Sequence, residues 1–244
     1  MRIDITNLRK TFDGKTAVDI PSFTINDGDL LGVVGNNGAG KTTLFRLMLD
    51  LVKADEGHIM MTFASGNSIS AVDPSKNEDW KGHTGTYIDE GFLIDFLTPE
   101  EYFSFIGKVC GLPGQEVLSR LDVYAHFMNG EVLGGRKLIR NLSAGNKQKV
   151  GILAALISHP DLLVLDEPFN FLDPSSQNSL KHILTDYNVS TGATVIVSSH
   201  NLAHTIDIST RIALLEHGRV IKDLPNGSGA DGGQELWGYF DTGR

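Results

Sequence analysis

Alternating apolar and polar residues open this chain. The alternation runs over residues 3–8, a turn signal follows at Asp13-Gly14, and a second apolar segment covers residues 17–25. Strict alternation interrupted by a turn is typical of antiparallel strands with one buried face. We therefore expect an antiparallel β-structure at the N-terminal end.

Short continuous apolar runs predict a second kind of strand. They occupy residues 30–34, 162–165 and 194–197, and helix-period segments follow the first two. After the first run, Leu44, Leu47, Met48 and Leu51 recur at the spacing of one helix face. Runs that are apolar on both sides are typical of parallel strands covered by helices. The pattern predicts an α/β fold with a mainly parallel sheet.

Between these runs the pattern changes twice. Residues 64–81 are polar and aperiodic, which predicts a surface excursion. Residues 92–145 are helical in pattern and open with a capping box at Thr98 and Glu101, which predicts an inserted helical subdomain. We expect one domain over residues 1–224, followed by a glycine-rich linker and tail over 225–244 in which Trp237, Tyr239 and Phe240 dock on the domain.

Composition restricts the partners and the compartment. The formal net charge of −9 makes nucleic acid an unexpected partner. No apolar run approaches the roughly 18 residues that cross a bilayer, so a link to a membrane is expected to run through another protein. A single cysteine, Cys110, fits a reducing cytoplasm and is expected to be a buried apolar residue.

The candidate chemistry begins after the 30–34 run. The segment there reads Gly35, Asn36, Asn37, Gly38, Ala39, Gly40, Lys41, Thr42 and Thr43. Glycines let the backbone N–H groups surround an anion, and the following helix adds its positive end. Strand, glycine loop and helix together predict a phosphate loop, with Lys41 on the β- and γ-phosphates and Thr42 on Mg²⁺. Kinases, GTPases and ATPases share this loop.

Two carboxylates narrow the chemistry. Asp166 and Glu167 end the buried 162–165 run and precede Pro168. A carboxylate at the end of a strand beside the phosphate loop can hold Mg²⁺, and its neighbour can deprotonate a water for in-line attack. Two acids are expected because one is occupied by the metal. The pair therefore predicts hydrolysis of a nucleotide.

The complete set of motifs resembles the ATP-binding-cassette (ABC) ATPases. In the family's order the chain carries the phosphate loop, Leu142-Ser143-Ala144-Gly145, Asp166-Glu167-Pro168, Leu172-Asp173 and His200. The resemblance extends from about residue 3 to residue 224. It implies a phosphate-loop NTPase core, ATP and Mg²⁺ as ligands, a second cassette subunit, and a separate permease that holds the chain on the cytoplasmic face of a membrane.

The resemblance also implies roles for single residues. Ser143 and Gly145 are expected to bind the γ-phosphate of a nucleotide held by the other subunit, and Asp173 to communicate across the dimer. Glu167 is similar to the family's general base and His200 to its γ-phosphate switch. Three further roles are implied by position. Phe12 is expected to stack on adenine, and Glu90 to ligate Mg²⁺ directly or through water. Residues 92–140 are expected to transmit motion to the permease.

Three departures from the family pattern keep other functions open. Ala144 and Asn146 replace the usual glycine and glutamine of the signature, which keeps a weakly hydrolysing, nucleotide-gated regulator as one alternative. Glu90 replaces a glutamine and favours export over import. A cassette ATPase without a permease is the second alternative, although a long heptad run and a second cassette are both missing from this sequence.

Overall fold

The computed structural model describes residues 1–65, 68–227, 230–231 and 235–236. The strands in these residues are β1 (Arg2–Phe12), β2 (Lys15–Ile25), β3 (Leu30–Val34), β4 (Glu56–Ser65), β5 (Ser68–Val72), β6 (Thr84–Tyr87), β7 (Leu162–Leu165), β8 (Thr194–Ser199), β9 (Arg211–Glu216), β10 (Arg219–Gly227) and β11 (Ala230–Asp231). The helices are α1 (Lys41–Met48), α2 (Pro99–Val109), α3 (Gly114–Asp122), α4 (Ala125–Met128), α5 (Ala144–Leu156), α6 (Pro174–Thr191) and α7 (Leu202–Ile208). Short 3-10 turns lie at Asp79–His83, Glu90–Phe92 and Ile139–Asn141.

The N-terminal residues form an antiparallel sheet, as their alternation predicts. Its strand order is β2-β1-β4-β5, and β1 pairs with β2 through Ile3 opposite Ile25. Residues 64–81 include exposed surface as expected, but the lack of regular structure is wrong, because β5 pairs with β4 and a 3-10 turn follows. This strand lies at the sheet edge and is mostly exposed, so its residues are polar and carry no alternation.

The second sheet carries the parallel strands. Its order is β11-β10-β9-β3-β8-β7-β6, in which β9, β3, β8, β7 and β6 are mutually parallel and β10 and β11 run antiparallel. The predicted α/β class is therefore confirmed. Strand β8 lies between β3 and β7, so the three apolar runs of the sequence are direct neighbours.

Alternate residues of the parallel strands enter two different cores. Leu163 and Leu165 pack with α2, α5 and α6, whereas Leu162 and Val164 pack with α1 and the antiparallel sheet. Helix α5 is covered on all sides, because residues 148–156 are all buried. The central sheet is thus enclosed on both faces, which explains the continuous apolar runs.

The helices between β6 and β7 begin as predicted. Thr98 accepts a hydrogen bond from Glu101 N–H, and the Glu101 side chain accepts one from Thr98 N–H. A Cβ at Gly107 would lie 2.3 Å from the Val117 side chain, so the glycine allows α2 and α3 to pack closely. No helix in the described ranges is both long and apolar enough to cross a bilayer.

Three local expectations fail. Helix α1 ends at Met48 because Asp50 adopts a left-handed φ of 51°, and Leu51 is 45% exposed. Cys110 is exposed at the end of α2. Strand β10 continues through Pro225 to Gly227, past the predicted start of the linker.

The tail can be judged at a single buried position. Leu236 packs in a small cluster with residues of β3, β9 and α7. Trp237, Tyr239 and Phe240, which are expected to dock on the domain, lie outside the described residues.

Candidate active site

The phosphate loop joins β3 to α1 and is shaped by glycine. Gly40 has φ 108°, and a Cβ there would lie 2.4 Å from the Ala17 carbonyl oxygen, so only glycine fits. Lys41 is the first residue of α1 and is 6% exposed. Its Nζ donates to the carbonyl oxygens of Gly35 at 2.6 Å and Asn36 at 3.4 Å. The loop therefore curls around its own ammonium group.

Thr42 and Asp166 meet across the gap between α1 and β7. The Thr42 hydroxyl donates to Asp166 Oδ2, and the Ser198 hydroxyl donates to Asp166 Oδ1. Burial raises the pKa of Asp166, and Glu167 raises it further, whereas the two hydroxyl donors and Lys41 act in the opposite direction. Hard oxygen atoms such as these are the kind of ligand that Mg²⁺ prefers.

Glu167 stands at the centre of the charged groups. Its Oε1 lies 3.3 Å from Lys41 Nζ, and its Oε2 lies 2.7 Å from His200 Nδ1 and 3.2 Å from His200 N. Its backbone has a left-handed φ of 47°, and its N–H donates to Ser198 Oγ at 2.7 Å. The predicted phosphate lysine, base and switch histidine therefore lie within one contact network.

The signature residues lie at the exposed start of α5. Ser143 is the N-cap, and its hydroxyl accepts from Asn146 N–H at 3.2 Å. A Cβ at Gly145 would lie 2.7 Å from the Phe171 carbonyl oxygen, so the glycine lets the 169–173 segment approach the helix. Asp173 caps α6 by accepting from Ser176 N–H and Oγ, which lowers its pKa.

Two sequence-predicted residues lie at the edge of this arrangement. Glu90 is exposed and pairs through Oε2 with Lys147 Nζ of α5 at 3.0 Å. Phe12 ends β1 and is 46% exposed, with Lys10 Nζ 5.3 Å from its ring centroid. Phe12 thus presents a free ring face, whereas Glu90 is engaged with the signature helix.

Two positions were missed by sequence reasoning. Ser198 is fully buried and bridges both acidic residues, and Gln148 of α5 donates from Nε2 to the Glu167 carbonyl oxygen at 3.2 Å. The available signal for Ser198 is a hydroxyl at the end of an otherwise apolar buried strand. Gln148 carries a comparable signal as a polar residue entering the buried part of α5.

The site fits a nucleotide and its metal. The glycine-bounded loop, the buried ammonium of Lys41 and the N-terminus of α1 provide positive groups for phosphates. Thr42 and Asp166 provide oxygen ligands for Mg²⁺. These features define a nucleotide-binding domain of the phosphate-loop class.

Comparison with known proteins identifies the family. The family model described as ABC transporter matches residues 18–170, more than half of the chain. The chain therefore belongs to the ABC transporter family, which confirms the resemblance seen in its motifs.

Named relatives agree with this assignment. The chain is 30% identical over 221 residues to the methionine import ATP-binding protein MetN of Rhizobium johnstonii, covering 91% of this chain and 60% of that protein. It is 31% identical to MetN of Halalkalibacterium halodurans, covering 91% and 66%. The chain thus spans less than two thirds of the length of these relatives.

Two solved structures share the fold. The dimeric ATP-binding cassette MJ0796, bound to ADP and Pi in a post-hydrolysis state, aligns with a TM-score of 0.78 at 22% identity, covering 91% of this chain and 98% of that one. The cbiO1 protein of Clostridium perfringens, part of the ABC transporter complex cbiONQ, aligns with a TM-score of 0.73 at 24% identity, covering 98% and 92%.

Proposed function

We propose that this chain is the ATP-binding and ATP-hydrolysing subunit of a membrane transporter, which it powers through ATP-driven closure of a cassette dimer. One observation carries the proposal: Glu167 contacts both Lys41 and His200 beside the phosphate loop. This network supports the assignment of Glu167 as the base that acts beside the γ-phosphate. The names of the relatives, which are ATP-binding import proteins, support the same class of function.

The nucleotide is proposed to bind along the phosphate loop, residues 35–43. Backbone N–H groups of the loop and the ammonium of Lys41 hold the phosphates. The exposed ring of Phe12 stacks on the adenine.

Mg²⁺ is assigned to Thr42, Asp166 and Glu90, the last of which ligates it directly or through a water. Their oxygens match the preference of this cation, which when bound would neutralise charge developing on the transferred phosphoryl group. Glu90 pairs with Lys147 through Oε2, which leaves its Oε1 for this role.

Hydrolysis is assigned to Glu167 as general base. Its carboxylate contacts Lys41 and His200. When Lys41 turns to the β- and γ-phosphates, one carboxylate oxygen becomes available to orient and deprotonate the attacking water. His200 keeps contact with the other oxygen and is assigned to the γ-phosphate.

A second cassette is proposed to complete the site. Ser143, Gly145 and Asp173 lie at helix N-termini whose caps are satisfied within this chain, and they are assigned to a nucleotide held by the other subunit. The dimer of MJ0796 provides a structural precedent for the fold.

Transport requires a separate permease, and we place the chain on the cytoplasmic face of the membrane that holds it. The domain is assigned to residues 1–224 together with the end of β10 at Gly227, the helical subdomain at about 92–145 is assigned to coupling, and the residues after this domain are assigned to the tail. Export is favoured by Glu90, whereas the MetN relatives are named importers. The permease itself selects substrate and direction.

The test is capture of the tagged chain from its native cell. Membranes are solubilised in mild detergent with ATP and Mg²⁺ present, and copurifying proteins are identified. A stoichiometric polytopic membrane protein is expected, and it would also reveal the substrate. Recovery only from the soluble fraction, alone or with ribosomes or DNA-associated proteins, would overturn the transporter assignment in favour of a permease-free ATPase.

A further inference from the structure

A buried hydroxyl connects the two acidic residues of the site. Ser198 is the penultimate residue of β8, the strand between β3 and β7, and it is fully buried. Its Oγ donates to Asp166 Oδ1 and accepts from Glu167 N–H at 2.7 Å. The Ser198 hydroxyl therefore donates to Asp166 and accepts from the next residue, Glu167.

The two hydroxyls on Asp166 differ in what else they can do. Thr42, which donates to Oδ2, is assigned to Mg²⁺, so its contact with Asp166 is exchangeable. Ser198 lies inside the sheet and is assigned to no ligand. Its hydrogen bond fixes the carboxylate by Oδ1 and leaves Oδ2 directed at the Thr42 side. Burial opposes the charged form of Asp166, and the donated hydrogen bond of Ser198 favours it.

The contact with Glu167 acts on its backbone. A left-handed φ is uncommon for a residue with a side chain and persists only where the surroundings hold it. Ser198 holds the N–H of Glu167, and Gln148 holds its carbonyl oxygen at 3.2 Å. Both polar groups of this residue's backbone are thereby fixed by buried side chains, and its carboxylate is directed toward Lys41 and His200.

We infer that Ser198 is a positioning residue for both functions of the site: its hydroxyl orients Asp166 for Mg²⁺ and fixes the backbone that aims Glu167 at water. The inference rests on the proposed function and adds a residue to it. Ser198 is fully buried, and its hydroxyl contacts Asp166 and Glu167. Its effect is transmitted through the two neighbouring acids.

The test is Ser198→Ala, measured for Mg²⁺-dependent nucleotide affinity by calorimetry and for steady-state hydrolysis. Loss of a residue that orients a metal ligand typically costs about 10- to 100-fold in metal affinity or activity. Mg²⁺ is expected to increase the affinity for ATP. We expect the Mg²⁺ concentration that gives half of this increase to rise about tenfold in the variant. kcat should fall by at least a similar factor, while KM for ATP at saturating Mg²⁺ stays within about twofold.

Two further variants separate positioning from general damage. Thr194→Val removes another fully buried hydroxyl from the opposite end of β8, where Oγ1 donates to the Met1 carbonyl oxygen. It should lower the thermal midpoint without changing the Mg²⁺ requirement. Ser198→Thr retains the hydroxyl and should recover most of kcat, provided that its thermal midpoint is close to that of the wild type.

The outcomes distinguish this inference from the function on which it rests. If the wild type requires Mg²⁺ and hydrolyses ATP but Ser198→Ala does so equally, Ser198 has no positioning role. If Ser198→Ala and Thr194→Val lose Mg²⁺ response and hydrolysis to the same extent, the effect of Ser198 is one of stability. That result would also overturn the inference. A wild type that neither responds to Mg²⁺ nor hydrolyses ATP would overturn both proposals together.

Discussion

The phosphate-loop side of this chain and its signature side are built differently. On the phosphate-loop side, charged groups from distant segments contact one another, with Glu167 between Lys41 and His200. On the signature side, Ser143 and Asp173 accept hydrogen bonds from backbone N–H groups of the helices that they begin. The first region is organised by contacts among residues of this chain. The second offers exposed helix starts, which is what a surface completed by another subunit requires.

Replacing Lys41 by Ala should have the largest effect, because it removes the buried cation on the phosphate-loop side. Losing one partner of a buried charge pair typically costs about 2–5 kcal/mol, so we expect ATP affinity to fall at least about 30-fold. Calorimetry measures the change. Lys181→Ala, which removes a surface pair with Asp207, is the matched control and should bind normally. Equal affinity in the two variants would contradict the role of Lys41.

Glu167→Gln tests the chemistry without removing the binding groups. Removal of a general base lowers the rate by about 10²–10⁴-fold, so turnover should fall by that factor while ATP binding is retained and the dimer is stabilised. Steady-state phosphate release and size-exclusion chromatography with ATP provide the readouts. Glu78→Gln, at an exposed surface pair, should leave both unchanged. Unchanged turnover in Glu167→Gln would remove Glu167 from the base role.

Ser143→Ala tests the other side of the comparison. If Ser143 acts on a nucleotide held by the second subunit, ATP affinity of the monomer should stay within about twofold while turnover falls about 10²-fold, as for loss of one transition-state donor. The variant also loses an N-cap worth about 1 kcal/mol. Ser143→Thr keeps the cap and should keep turnover. Weaker ATP binding by the Ser143→Ala monomer would place the residue in the same subunit's site.

Asn146→Gln sharpens the question of catalytic rate. Asn146 is one methylene shorter than the usual signature glutamine, and its backbone N–H already binds the Ser143 cap. One improved hydrogen bond is worth about 1 kcal/mol, so turnover should rise roughly fivefold. The readout is kcat at saturating ATP, with Asn141→Gln outside the signature as control. A lower kcat would indicate that the chain is adapted to its shorter amide.

His204→Phe tests a buried histidine outside both sides and should have the smallest effect. His204 stacks on Phe169, 4.9 Å between centroids, and burial together with Lys181 lowers its pKa, with Asp207 acting in the opposite sense. A lowered folded-state pKa means that stability is present above the unfolded value near 6.5 and is lost as the pH falls below it.

We therefore expect denaturant midpoints of the nucleotide-free wild type to fall from pH about 7.5 to about 5.5 by more than those of His204→Phe. The midpoint of His204→Gln should also fall by less than that of the wild type, although this variant loses the ring contact with Phe169. An identical pH response in the wild type and His204→Phe would remove His204 as the group responsible.

Sequence patterns predicted the strands better than the site's internal contacts. The run at 162–165 and the capping box at Thr98 depend on local spacing, and the structure confirms both. Strand β5 was missed because an exposed edge strand has no face to bury. The bridge through Ser198 was missed because it depends on which strands are neighbours, and local spacing carries no information about strand order.

The strand order has a consequence for biogenesis. Strand β3, which carries the phosphate loop, pairs only with β8 and β9 in the described sheet, and both follow it by more than 150 residues. A ribosome that has released the phosphate loop and both acids has not yet released either partner of β3. The nascent chain therefore holds apolar strands with open edges until β8 and β9 emerge, and such edges are prone to aggregation. Ser198 and His200 come with β8, so the nucleotide site gains its last residues at the same stage as β3 gains its partners.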